Sequence, residues 1–201
     1  MPWAGTIGGC AFGGAATTGR AGRDADHRGE TNSRNRRGVR AVNGIETCGA
    51  QLAKYRVEGY GIFMLPSDGT GVQGSSYEKH GKPCIDMYIT PESDPALFLL
   101  VLLHEVAHHR YGHCRAWSSQ PGWSQELAAD QFALKKLAVI MPEEVDRMTE
   151  VVKDRLRPWL QEWVDQDLTH HLHLPTLDWL GCRVPKRMRR MLVQRKLDMA
   201  A

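Results

Sequence analysis

The sequence contains few cysteines, and their spacing does not indicate a structural role. The odd number of five cysteines comprises Cys10, Cys48, Cys84, Cys114 and Cys182, and no two of them form a C-x-x-C pair. Disulfide-stabilised secreted domains and thiolate zinc sites usually show an even set or such pairs. We therefore expect free thiols in a reducing compartment, with the cytoplasm as the location of the protein.

Long apolar runs are also missing. The longest run, residues 96–103, contains eight residues, whereas a helix that spans a bilayer needs about 20. The first 30 residues do not combine a charged start with the apolar core of a secretory signal. From these two observations we expect a soluble protein without a membrane partner.

Acidic residues are scarce in the first part of the chain. Residues 1–40 hold nine of the 20 glycines, seven arginines and three acids, a net charge of +4, which leaves −1 for the remainder of a chain whose total is +3. A Gly- and Arg-rich segment buries too little apolar surface to offset its chain entropy. We predict a disordered tail over residues 1–43, and we favour a solvated tail over one that binds nucleic acid.

The pattern typical of a folded domain begins near residue 44. We predict one α+β domain over residues 44–168, followed by a basic helical extension over 169–201. A short helix is expected first, and the β-branched and aromatic residues that follow it predict a strand that stops at a turn signal. A second, alternating segment predicts another strand. The expected positions are residues 46–55 for the helix, 57–65 and 85–90 for the strands, and a loop through residue 81 between the strands.

Helical signals dominate the second half of the chain. Ser93 or Asp94 can cap a helix whose first residue is Pro95, because proline suits the first helical position. Since this helix begins with an entirely apolar run, we expect it to be buried in the middle of the domain. The predicted helices cover residues 96–111, 124–140, a segment that starts at Pro142 and is kinked or divided at Pro158, and residues 185–199.

An H-E-x-x-H motif lies on the first of these helices, at His104, Glu105 and His108. Residues four positions apart share one helical face, so the two imidazoles can point at a single metal ion. Glu105 lies beside this pair and can reach a water molecule at the metal without being a ligand itself. The motif therefore predicts a metal site with a catalytic base next to it.

A third ligand is expected from the next helix, where Glu126 and Asp130 share a face. Catalytic zinc takes three protein ligands and keeps one position open, and two His with one Glu is an established set. Asp130 can accept a hydrogen bond from the outer nitrogen of a ligating histidine. The alternative is two ordinary amphipathic helices with surface His and Glu, but this would leave a buried, unpaired ionisable pair at the end of an apolar run.

The segments HEVAHHRYGH (104–113), ELAADQFA (126–133) and MPEE (141–144) resemble the gluzincin branch of zinc peptidases, and within it the ImmA/IrrE family. The resemblance implies a zincin-like fold, in which a small mixed or antiparallel sheet packs on the active-site helix and further helices follow. It also implies one zinc ion per chain and peptide hydrolysis with Glu105 as the base. The implied substrate is a specific regulatory protein such as a DNA-binding repressor.

Several roles stay open at the level of sequence. Candidates for the group that stabilises the oxyanion are His113, Tyr111 and the cluster at 170–173, although a surface turn is the favoured interpretation of that cluster. For His109 and His113 the favoured interpretation is a helix-end histidine bonded to a backbone carbonyl. If residues 85–90 form a sheet edge, an extended peptide can dock there as an added strand.

Two other functional classes compete with the peptidase. One is a metal-free binding module that keeps the same fold. The other is a zinc hydrolase that acts on a small amide, in which Cys84 is the candidate for an upstream thiolate ligand.

Overall fold

The computed structural model describes residues 30–67, 72–114, 122–168 and 172–198, and for residues 30–42 only the backbone is described. These residues form six helices and three strands. In chain order the elements are α1 (Glu30–Val57), β1 (Gly61–Met64), β2 (Gly74–Lys79), β3 (Lys82–Met87), α2 (Pro95–Arg110), α3 (Gly122–Ile140), a 3-10 turn (Pro142–Glu144), α4 (Val145–Asp165), α5 (Leu174–Leu180) and α6 (Lys186–Asp198).

The three strands form one mixed sheet in the order β1-β3-β2. β1 runs parallel to β3, and β2 runs antiparallel to it with Gly74 opposite Met87. The prediction of a loop through residue 81 is wrong, because β2 lies in that segment. Its sequence, GSSYEK, lacks apolar alternation, and β2 becomes a strand by pairing with β3 through a turn at His80 and Gly81, both of which have positive φ.

The two predicted strands exist with shifted bounds. β1 is shorter than predicted because α1 continues to Val57, and β3 begins and ends three residues earlier than the predicted segment 85–90. β3 is the central strand of the sheet, so the condition for peptide docking at residues 85–90, that they form a sheet edge, is not met. Within the described sheet, β1 and β2 are the edges.

The buried helix α2 agrees closely with its prediction. Asp94 is its N-cap, and the Oδ1 atom of Asp94 accepts hydrogen bonds from the backbone of Ala96 and Leu97, both at 3.1 Å. Ser93, the other residue predicted as a possible cap, does not cap the helix. Just beyond the helix, Gly112 adopts a φ of +72°, a conformation that glycine enters at little cost. Eleven of the 12 residues from 97 to 108 are buried, as the apolar run predicts.

The helix α2 is the centre of the core. The sheet packs on one side of it through β2 and β3, and α1, α3 and α4 contact it elsewhere. His109 fixes the end of α2 to the sheet, because its Nε2 lies 2.9 Å from the carbonyl oxygen of Cys84. This contact confirms the helix-end interpretation of His109. The architecture is α+β, as predicted.

The N-terminal boundary differs from the prediction. α1 begins at Glu30, well before the expected helix at 46–55, and so overlaps the predicted tail over residues 1–43. Four of the nine residues from 34 to 42 are arginines, and arginine favours helical backbone. Residues 1–29 of the predicted tail lie outside the described residues.

The C-terminal helices join the same core. Pro158 lies inside α4 and does not divide it, because an apolar stripe that includes Val152, Leu156 and Leu160 is buried along the helix. α5 was not predicted, although Pro175 and Gly181 mark its two ends. α6 confirms the predicted basic helix, and buried residues of α5 and α6 belong to the main hydrophobic cluster. None of the helices in the described segments is long and apolar enough to cross a membrane.

Candidate metal centre

Three side chains from two helices converge at one point. His104 and His108 lie one turn apart on α2, and Glu126 lies on α3. The Nε2 atoms of the two histidines are 2.9 Å apart, and the carboxylate oxygens of Glu126 lie 3.2 Å from His104 Nε2 and 3.3 Å from His108 Nε2. The structure thus brings together the three predicted ligands.

The spacing and chemistry of these donors fit zinc. Tetrahedral coordination with bonds of 2.0–2.1 Å places neighbouring ligand atoms about 3.3 Å apart, close to the 2.9–3.3 Å separations found here. Two imidazoles and one carboxylate are also a donor set that zinc accepts in catalytic sites. Within the described part of the chain, His104, His108 and Glu126 form the one group with the geometry of a metal site.

His104 is oriented by Asp130, as predicted. The Nδ1 atom of His104 lies 2.8 Å from Asp130 Oδ1, and both side chains are fully buried. Because a carboxylate oxygen accepts, Nδ1 of His104 is the donor in this contact. A neutral His104 ring therefore presents the lone pair of Nε2 to the cluster, which is the form that a metal ligand needs.

His113 holds the corresponding position behind His108. The Nδ1 atoms of the two rings are 3.0 Å apart. Burial, together with the nearby His108, lowers the pKa of His113 below its ordinary value, so His113 is neutral near pH 7. A neutral His113 can accept a hydrogen bond from Nδ1 of His108. The proton of His108 is then on Nδ1, and Nε2 presents its lone pair to the cluster.

The candidates for the oxyanion-stabilising group occupy different places. His113 contacts the outer nitrogen of His108, on the far side of that ring from the cluster. Tyr111 is about half exposed, and its ring packs against Phe132 and His113. Of the histidines at 170–173, His170 and His171 lie outside the described residues. His173 is exposed at the start of α5, with Nδ1 3.2 Å from the hydroxyl of Thr176, in line with a surface turn.

Glu105 lies beside the cluster and is only 2% exposed. Within the described residues its Oε1 atom has no hydrogen-bond partner. The strand β2 passes directly over this side chain, since a Cβ atom placed on Gly74 would lie 3.1 Å from Glu105 Oε1. A buried carboxylate oxygen without a protein partner is costly, and such an oxygen is suited to accept a hydrogen bond or a proton from water.

Arg155 is a site residue that the sequence interpretation missed. From α4 its Nη1 donates to Glu126 Oε2 at 3.0 Å, and its Nη2 donates to Asp130 Oδ2 in a short contact. A signal was present, because Arg155 lies three residues after Val152 and seven after Met148, on the buried stripe of an amphipathic helix. A charged residue on such a stripe indicates a buried ionic partner.

The electrostatics hold Glu126 in its ionised form. Burial by itself would raise the pKa of Glu126. The close contacts with His104 and His108 and the positive charge of Arg155 outweigh burial and lower the pKa far below the ordinary range for glutamate. Glu126 is therefore a carboxylate at any pH near neutrality, and a metal ion does not have to displace a proton from it.

The cysteines near the centre are not part of the cluster. Cys84 is buried in β3, and the three-residue group with metal-site geometry does not include it. Burial is the largest cause of a raised pKa at Cys114, which keeps this thiol protonated near pH 7. Neither sulfur therefore takes part in the geometry that joins the two histidines and Glu126.

Comparison with known proteins gives no assignment for the chain. No family model, no curated protein sequence and no solved structure matches it. Any function must therefore be inferred from the centre itself.

Proposed function

We propose that the chain is a zinc-dependent metallopeptidase of the gluzincin type, most like the ImmA/IrrE family. His104, His108 and Glu126 would hold the metal, and Glu105 would be the catalytic base. The observation that carries the proposal is the convergence of three donor atoms at 2.9–3.3 Å. The residue after His104, Glu105, adds a buried carboxylate oxygen without a partner among the described residues.

The protein groups have separate tasks in this proposal. When bound, zinc supplies Lewis acidity and makes water a stronger acid. Glu105 accepts the proton of the attacking water and delivers it to the leaving amine, a task open to its buried Oε1 atom, which has no hydrogen-bond partner among the described residues. Asp130 and His113 keep the rings of His104 and His108 oriented through their outer nitrogens.

The edge strand β2 is the element on which we propose that the substrate docks. An extended peptide can pair with the outer edge of β2 as an added strand, and Gly74 of β2 lies directly over Glu105. β2 takes the place of residues 85–90, at which docking was conditional on a sheet edge, because β3 is the central strand. Docking of this kind favours a protein or peptide over a small amide as substrate.

The resemblance to the ImmA/IrrE family extends the proposal to the substrate, which would be a regulatory protein such as a DNA-binding repressor. Incubation of the zinc-loaded chain with a panel of folded repressors and one unfolded protein tests this extension. We expect a single cleavage site in one repressor. General degradation of the unfolded protein, with no preference among the repressors, would contradict it.

The Glu105→Gln variant tests the enzymatic part of the proposal. Glutamine keeps the shape of the side chain but cannot accept a proton, so we expect peptide cleavage to fall by about 10²-fold or more. The zinc content should equal that of wild type, because Glu105 is not one of the three converging ligands. Cleavage would be followed by mass spectrometry, which also locates the bond.

The matched control is Glu143→Gln, the same exchange at an exposed position. This variant should cleave like wild type. Equal cleavage by wild type and Glu105→Gln would contradict the role of Glu105. Absence of bound zinc from wild type would instead favour the metal-free binding module.

The small-amide hydrolase with a thiolate ligand is disfavoured by the position of Cys84. Its sulfur is not part of the described ligand group, and the backbone carbonyl of Cys84 accepts from His109. A Cys84→Ala variant should therefore keep its zinc, and loss of zinc would revive this alternative.

A further inference from the structure

Arg155 connects two carboxylates of the candidate metal centre. Glu126 and Asp130 lie one turn apart on α3, and the guanidinium of Arg155 reaches both with its two terminal nitrogens from α4. The side chain of Arg155 is 9% exposed, so solvent screens its charge little. We propose that Arg155 is a positioning residue of the metal centre, which fixes the ligand Glu126 directly and the ligand His104 through Asp130.

The contacts of the two carboxylates show how this positioning works. The two carboxylate oxygens of Asp130 have different partners, since Oδ1 accepts a hydrogen bond from His104 and Oδ2 accepts one from Arg155. Glu126 presents Oε2 to His104 and Oε1 to His108, while Oε2 also accepts from Arg155. A planar guanidinium imposes direction as well as charge on the carboxylates that it binds. The orientation of two of the three ligands therefore depends on one side chain.

The positioning role and the positive charge of Arg155 predict opposite effects of its removal on zinc affinity. Arg155 is a cation beside a site for a divalent cation, so by simple repulsion its removal would strengthen zinc binding. Loss of a group that orients metal ligands typically weakens metal binding by about 10–100-fold. We expect the second effect to dominate, because Glu126 would lose a donor that fixes its side chain in the position facing both histidines.

The test is the zinc dissociation constant of the full chain, measured by competition with a chromophoric chelator. Arg155→Gln should bind zinc about 10–100-fold more weakly than wild type. Arg155→Lys keeps the charge, but its single nitrogen cannot replace the planar fork. It should therefore also bind more weakly than wild type, and its cobalt-substituted form should have an altered absorption spectrum.

The control is Arg157→Gln, the same exchange on the same helix. Arg157 donates to the carbonyl oxygen of Leu180 and to Asp154, outside the metal centre. Its loss should destabilise the fold slightly, because two hydrogen bonds outside the metal centre are lost. The zinc dissociation constant should stay at the wild-type value, which separates an effect on the centre from general destabilisation.

This inference rests on the proposed metal site, and the same measurements separate the two. If wild type binds no zinc, the proposed function itself is wrong. If wild type binds zinc and Arg155→Gln binds it equally or more tightly, the positioning role is wrong. Should Arg155→Gln fail to fold, Arg155→Lys decides, and a wild-type affinity and cobalt spectrum in that variant would overturn the inference.

Discussion

Gly74 of β2 packs tightly against Val101 and Glu105 of α2, and replacing it by alanine tests that arrangement. A Cβ atom at this position would lie 2.6 Å from Val101 Cγ1 and 3.1 Å from both Cγ and Oε1 of Glu105. The first distance is about 0.8 Å shorter than the 3.4 Å at which ordinary van der Waals contact begins. Either β2 must move away from α2 or Val101 and Glu105 must shift.

The size of the effect follows from two opposing contributions. Alanine in a strand is intrinsically favoured over glycine by about 0.5–1 kcal/mol. Overpacking a tight site costs about 1–3 kcal/mol, and the neighbours here are a β-branched core residue and a buried carboxylate rather than flexible surface groups. We therefore expect Gly74→Ala to lower the free energy of unfolding by about 1–2 kcal/mol. A displaced Glu105 should lower cleavage by about 10-fold to 100-fold.

Urea denaturation and peptide cleavage measure the two parts, and zinc content provides a third measurement. Gly74→Ala should keep its zinc, because the added methyl group meets Val101 and Glu105 rather than the three ligands. Gly49→Ala in α1 is the control, since nothing lies within 4 Å of its Cβ position. That variant should be as stable as wild type or slightly more stable. If Gly74→Ala were equally stable and active, β2 would not lie over Glu105 as described.

Two further predictions concern the core and the start of α2. Leu100→Ala removes a fully buried side chain from α2 and should lower the free energy of unfolding by about 2–5 kcal/mol in urea denaturation. Burial of Asp94 by itself would raise its pKa. The hydrogen bonds that Asp94 accepts from Arg147 and from two backbone amides outweigh burial and lower the pKa. The ionised form is thus the stabilising one, and this contribution is complete above the unfolded pKa of about 3.9 and lost as pH falls toward the lower folded value. Asp94→Asn should therefore be less stable than wild type at pH 7, with a difference that shrinks below about pH 4 in pH-dependent denaturation. A constant difference down to pH 2 would argue against it.

The parts of the fold that could be predicted from sequence are those determined locally. α2 has an apolar run, a capping Asp94 and Pro95 at its first turn, and each of these signals acts within a few residues. The two motif histidines follow from helical periodicity alone once that helix is known. The convergence of Glu126 with them was predicted from the ligand number of zinc rather than from any local pattern.

The parts that were missed depend on contacts between distant segments. β2 has no apolar alternation of its own and forms a strand because β3 lies beside it. Strand order is likewise not encoded locally, so the sequence did not show which segment forms the edge strand near Glu105. Arg155 joins the centre from a helix that follows α3, and its position on a buried stripe was the only local indication of that role.

The zinc content of the purified chain, measured by elemental analysis after loading and dialysis, tests the central claim most directly. Wild type should hold about one zinc ion per chain, the stoichiometry of a single site with three protein ligands. The double variant His104→Ala/His108→Ala should hold none, and His173→Ala, an exchange at an exposed histidine, should match wild type. A wild-type chain without zinc, or a double variant that retains it, would contradict the metal centre.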